Sequence, residues 1–166
     1  MNGGGSSIEF KVVSSGIHEG GSGFSTMADI NRKSVLIVEF DRDVSELFAR
    51  AIEFRRDCKC YLAASEEEAA DLMRDIPFDL ALVDIGIAMD GDFRFLKRIR
   101  RLFPEIIVVI AAYLHQKDHL TKALVLGANG YLFKPIKLDS FRKKIEQFFL
   151  SSTTTNHSPE VSRHEM

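Results

Sequence analysis

The feature that most constrains this chain is an alternation. Between residues 33 and 150, five short apolar runs take turns with stretches whose apolar residues recur at helical spacing. Residues 35–38 form a continuous apolar run, as expected of a strand covered on both faces. Val44, Leu47, Phe48, Ala51 and Ile52 then mark a helix. Residues 60–63 give a weaker strand. Ser65 followed by Glu68 is a capping-box signal, and Ala69, Leu72, Met73 and Ile76 supply the apolar face of a helix that Pro77 stops.

The pattern then repeats. Residues 78–83 are the third strand, and Phe95, Leu96, Ile99 and Leu102 mark the third helix, closed by Pro104. Residues 106–111 are the fourth and most apolar strand. Leu120, Ala123, Leu124 and Leu126 make a helix ending at Gly127, a C-cap residue. Residues 131–133 are the fifth strand, and Leu138, Phe141, Ile145, Phe148 and Phe149 build the last helix. Five strands alternating with five helices imply an α/β fold. The expected form is a flavodoxin-like, doubly wound, five-stranded parallel sheet in the order 2-1-3-4-5.

Open sheets of this kind form their sites outside the carboxyl ends of the strands. Those ends carry Glu39 after the first strand, Asp84 after the third and Lys134 after the fifth. Strands one and three are neighbours at the switch point, so the three side chains are expected to converge. Two carboxylates and an ammonium admit three chemistries. They could hold a hard divalent cation through oxygen ligands. They could accept a phosphoryl group on Asp84, with Lys134 neutralising the acyl phosphate. Or they could be a structural ion pair.

The stretches around these residues resemble a response-regulator receiver domain. VLIVEFDRDV at 35–44 is similar to the family's opening, FDLALVDI at 78–85 to its acceptor strand, and GANGYLFKPIKLDSF at 127–141 to its fifth strand and following helix. The last is the most specific, because Lys-Pro at a strand end is unusual. The resemblance implies that Asp84 is the phosphoacceptor, Lys134 the phosphate-contacting lysine, Glu39 the first of two adjacent acids and Tyr131 the aromatic switch residue. It also implies phosphoryl transfer from a histidine kinase with magnesium, and an output surface made by helix four, strand five and helix five.

Three positions depart from that pattern. Phe40 stands where the second acid should touch the metal, and Ala111 where a Ser or Thr should hydrogen-bond the phosphoryl oxygen. The loop IGIAMDG at 85–91 lacks the usual proline and is one residue short, which should displace the Gly86 carbonyl from the metal site. A phenyl ring offers no lone pair to a hard cation. Ala111 removes a hydrogen bond to a charged group, about 1.5–3 kcal/mol. Glu39, Asp84 and Lys134 also leave less negative charge to relieve than three acids and a lysine would. Magnesium binding is therefore expected to be weak or absent, with a direct Asp84–Lys134 pair in the resting protein.

The remaining chain carries less chemistry. The 166 residues suit one domain with tails, and 45% hydrophobic content suffices for a core. A Gly/Ser-rich segment over 1–32 and a polar segment over 151–166 read as tails. Met27 is a candidate alternative start. The net charge of −2 with scattered Lys and Arg argues against nucleic acid. No apolar run reaches the roughly 18 residues of a membrane span, and no signal peptide is visible, so a cytoplasmic location is expected. Cys58 and Cys60 read as reduced thiols. His115 with His119 reads as a wet helix face, and so do Arg94, Lys97, Arg98, Arg100 and Arg101.

The resulting expectation is a stand-alone receiver-like protein, not an enzyme, with a degenerate site. It would act by docking a histidine kinase, phosphotransfer protein or downstream effector. The alternatives are a magnesium-dependent receiver with slow chemistry and, from another class, a small-molecule-binding flavodoxin-like module. No glycine-rich phosphate loop follows the first strand to favour the last.

Overall fold

The computed structural model describes residues 32–153, so the expected N-terminal segment, Met27 and most of the C-terminal segment lie outside the described residues. The strands are β1 (Lys33–Val38), β2 (Cys58–Ala63), β3 (Leu80–Asp84), β4 (Ile107–Tyr113) and β5 (Gly130–Lys134). The helices are α1 (Arg42–Glu53), α2 (Glu66–Asp75), α3 (Ile85–Leu102), α4 (Lys117–Val125) and α5 (Leu138–Thr153). All pairings are parallel and the sheet order is β2-β1-β3-β4-β5, as the alternation predicts.

The period-2 geometry of the strands divides the core into two layers. Leu36, Val38, Ala81, Val83, Val108 and Ile110 face α2, α3 and α4. Val35, Ile37, Leu80, Leu82, Val109 and Leu132 face α1 and α5. There Phe48 and Phe141 stack with ring centroids 5.2 Å apart, fixing α1 against α5. The apolar residues of β1 from Val35 to Val38 and all of β3 are buried, which explains their unbroken apolar runs.

Several boundaries differ from the sequence reading. β2 begins two residues earlier than its apolar run, and β4 continues two residues beyond Ala111, through Ala112 and Tyr113. α5 extends to Thr153, past the expected tail boundary at 150. Leu102, expected on the buried face of α3, is 51% exposed. It occupies the last helical position, where the chain turns away before Pro104. Ser65 does cap α2, accepting from Glu68 N–H at 3.2 Å, but Glu68 returns to Ala64 N–H at 2.8 Å and not to Ser65.

The expected loop after Asp84 is the largest difference. Helical structure starts at Ile85, directly after β3. It breaks at Asp90 to Phe93, where Gly91, Asp92 and Phe93 take φ values of +54°, +58° and +60°, and then resumes. Asp92 and Phe93 are not glycine, so this backbone is strained. Their neighbours hold them there. Asp92 bridges Lys97 and Lys122, and Phe93 is buried with Lys122 over its ring.

Candidate functional site

The carboxyl ends of β1, β3 and β5 bring Glu39, Asp84 and Lys134 together, as the strand order requires. All three are buried, at 3%, 5% and 7% exposure. Lys134 Nζ lies 2.6 Å from Asp84 Oδ2 and 2.9 Å from Glu39 Oε2. Burial alone would lower the Lys134 pKa. Hydrogen bonds and Coulomb attraction from Asp84 and Glu39 outweigh it and hold the ammonium above its ordinary value.

The second oxygen of each carboxylate is also engaged. Asp84 Oδ1 accepts from Gly86 N–H at 2.7 Å, so Asp84 is both the last residue of β3 and the N-cap of α3. A Cβ on Gly86 would sit 2.9 Å from that oxygen, so a glycine lets the turn close against the carboxylate. Gly86 thus meets Asp84 through its amide. Its expected contribution was the carbonyl. Glu39 Oε1 accepts from Asp41 N–H at 3.1 Å. Asp41 in turn caps α1, accepting from Asp43 and Val44 N–H.

The departing positions fall as follows. Phe40 is 68% exposed and does not pack into the crevice. Ala111 is buried and pairs with Asp84 across the β3–β4 register. Tyr131 is half-buried against the α2–α4 layer, 5.2 Å from Phe133, with Lys144 over its ring and donating to its carbonyl oxygen. His115 stacks on Tyr113, and both His115 and His119 are exposed. Cys58 and Cys60 are free and buried.

Two site residues escape a reading of apolar runs. Asp41 orients Glu39, and its signal is an acid just before the first periodic residue of a helix. Tyr113 closes the crevice from β4: Lys134 Nζ lies 4.7 Å from its ring centroid, within cation–π range. Nothing in the apolar run of β4 marks it.

The donor set does not suit a hard cation. Magnesium takes near-octahedral oxygen coordination. Here both carboxylates are committed to Lys134 and to backbone amides, and Phe40 adds no oxygen. Among the described residues no group of three His, Cys, Asp or Glu side chains is arranged to hold a metal. Nor is any helix among them long and apolar enough to cross a membrane.

Comparison with known proteins bears on the whole domain. A family model described as the response regulator receiver domain matches residues 35–146. The transcriptional regulatory protein CitT of Bacillus subtilis is 30% identical over 130 residues, covering 78% of this chain and 58% of that protein. The probable C4-dicarboxylate response regulator DctR of the same species is 27% identical over 115 residues, 69% of this chain and 51% of its own length. The chain thus spans about half the length of these curated relatives. Among solved structures, a CheY-like receiver domain protein from Methanospirillum hungatei superimposes with a TM-score of 0.66 at 22% identity, over 74% of this chain and 97% of that one. That likeness establishes the fold.

Proposed function

The chain belongs to the response regulator receiver domain family, and from that premise we propose that it is a receiver of two-component signalling whose crevice is degenerate and which acts by docking another protein. Receiver domains are in general signalling modules without enzymatic activity. The observation that supports the degenerate reading is the Lys134 ammonium bound to Asp84 and Glu39 at once, with Phe40 and Ala111 in the two positions that should serve metal and phosphoryl oxygen.

Phosphoryl transfer would require an Asp84 oxygen to form a bond to phosphorus as the donor's bond breaks. Oδ2 is held by Lys134 and Oδ1 by Gly86 N–H, and Phe40 stands where an acid after Glu39 would draw in a cation. Magnesium is therefore bound weakly or not at all. Signalling in the cytoplasm then rests on surface recognition, with a histidine kinase, phosphotransfer protein or effector as the partner class and α4, β5 and α5 as the output face. Exposed Leu124, Phe133 and Leu138 on those elements and their connections support that assignment.

A slow but functional phosphoacceptor is the second reading, favoured by the retention of Asp84 and Lys134 in contact. Titration calorimetry with magnesium chloride separates the two. The degenerate reading expects no saturable heat in the low millimolar range; a tight, Asp84-dependent site would overturn it.

A further inference from the structure

The surface between α2 and α3 holds a charge distribution that the crevice does not use. The chain is net negative, at −2. Yet Arg94, Lys97, Arg98 and Arg101 line one open concavity of about 750 Å³ together with Glu66 and Glu67, while Asp90 and Asp92 pair with Arg94 and Lys97. Glu66 is already committed, 3.1 Å from Arg94 and 3.9 Å from Arg98. Arg101 is exposed and has no ion-pair partner among the described residues.

A second, apolar hollow adjoins the first. It measures about 50 Å³, shares Arg98, is rimmed by Arg74, and is lined by Met73, Leu102 and Phe103. Leu102 and Phe103 are 51% and 36% exposed. Two neighbouring apolar side chains turned to solvent inside an arginine rim form a patch of the kind that binds protein.

We propose that this α2–α3 face docks an acidic, amphipathic protein segment. Leu102 and Phe103 receive an apolar anchor, and Arg74, Arg94, Arg98 and Arg101 receive flanking carboxylates. Arginine suits that task because its planar fork matches a carboxylate in two hydrogen bonds. A polyphosphate backbone offers no apolar anchor for Leu102 and Phe103, whereas an amphipathic segment does. The rim charges are exposed, so they set approach rate and salt sensitivity more than affinity. The face is separate from Asp84, so its use does not depend on the state of the crevice.

The test uses the full chain and three fluorescein-labelled probes in an anisotropy titration. One is a synthetic helical peptide with glutamates flanking a Leu/Phe stripe; the second replaces each Glu by Gln; the third is a single-stranded oligonucleotide of matching length. The Glu peptide is expected to bind, to weaken about tenfold when Arg101→Glu reverses a rim charge, and to weaken similarly with Leu102→Ser or raised salt. Both substituted side chains are exposed, and Arg101→Gln provides a milder rim variant; melting curves check that all remain folded. Asp84→Asn should leave binding unchanged. Equal binding of the Gln peptide, no binding of either peptide, tighter Arg101-dependent binding of the oligonucleotide, or a dependence on Asp84 would each overturn the proposal.

Discussion

Lys134 Nζ lies 2.6 Å from Asp84 Oδ2, although their strands are not neighbours in the sheet: β4 runs between β5 and β3. The bridge spans the end of β4, where Ala111 pairs with Asp84 and Tyr113 pairs with Lys134. A methyl group there neither competes for the ammonium nor offers it a hydrogen bond. The crevice charge is thus partly balanced from within, by one lysine shared between two carboxylates.

That balance makes Lys134 a large contributor to stability. Replacing it by Met keeps the length of the side chain but leaves Asp84 and Glu39 facing each other without a counter-charge. The expected cost is about 3–5 kcal/mol at neutral pH, read from the urea midpoint. Asp84→Asn should cost only about 1 kcal/mol, because Glu39 retains Lys134 and Asn still accepts from Gly86 N–H. Equal losses in the two variants would contradict a shared pair.

Restoring the missing groups should restore cation binding. Phe40 is mostly exposed, so Phe40→Asp costs little packing and adds an oxygen ligand at the mouth of the crevice. Ala111→Thr adds a hydroxyl opposite Asp84. A ligand that contributes about 1.4 kcal/mol tightens binding about tenfold. Calorimetry on the double variant should therefore show a magnesium site stronger than in the parent. No gain would mean that the shortened 85–91 segment, and not these two side chains, controls the metal.

Stability should fall on the alkaline side. Burial pushes the Cys58 thiol from 9.0 up to about 11, and burial raises Cys60 further. Lys134 is also held above its ordinary value. In each case the folded state binds the proton more tightly than the unfolded one. The contribution is complete below the unfolded pKa and is lost as pH climbs through the folded one. The urea midpoint should be flat from neutrality to about pH 8.5 and drop between about pH 9 and 11, where Cys58 contributes on the order of 1–2 kcal/mol. Cys58→Ala should make that part of the profile shallower and leave the Cys60 contribution in place. A midpoint that rises with pH in this window would refute the assignment.

The sheet and the central triad were legible because both follow from periodicity. Unbroken apolar runs announced strands covered on two faces, and the switch-point rule then brought Glu39, Asp84 and Lys134 together from residue type and position alone. The misses have separate physical causes. Leu102 fits the apolar period of α3, but a helix end leaves the core even where the pattern persists. The break at Asp90 to Phe93 needs left-handed backbone at two non-glycine positions, which local propensity disfavours and tertiary contacts impose. Tyr113 lies past the apolar run of β4, and its place over Lys134 depends on the spatial end of another strand.

The most direct test of the central claim is intact mass spectrometry after incubation with a small phosphodonor and magnesium, with Asp84→Asn run beside the parent chain. A crevice whose Asp84 is already engaged by Lys134, and which lacks an acid at Phe40 and a hydroxyl at Ala111, should leave both masses unchanged. An added phosphate on the parent chain that disappears in Asp84→Asn would show that Asp84 still accepts a phosphoryl group and that the site is active.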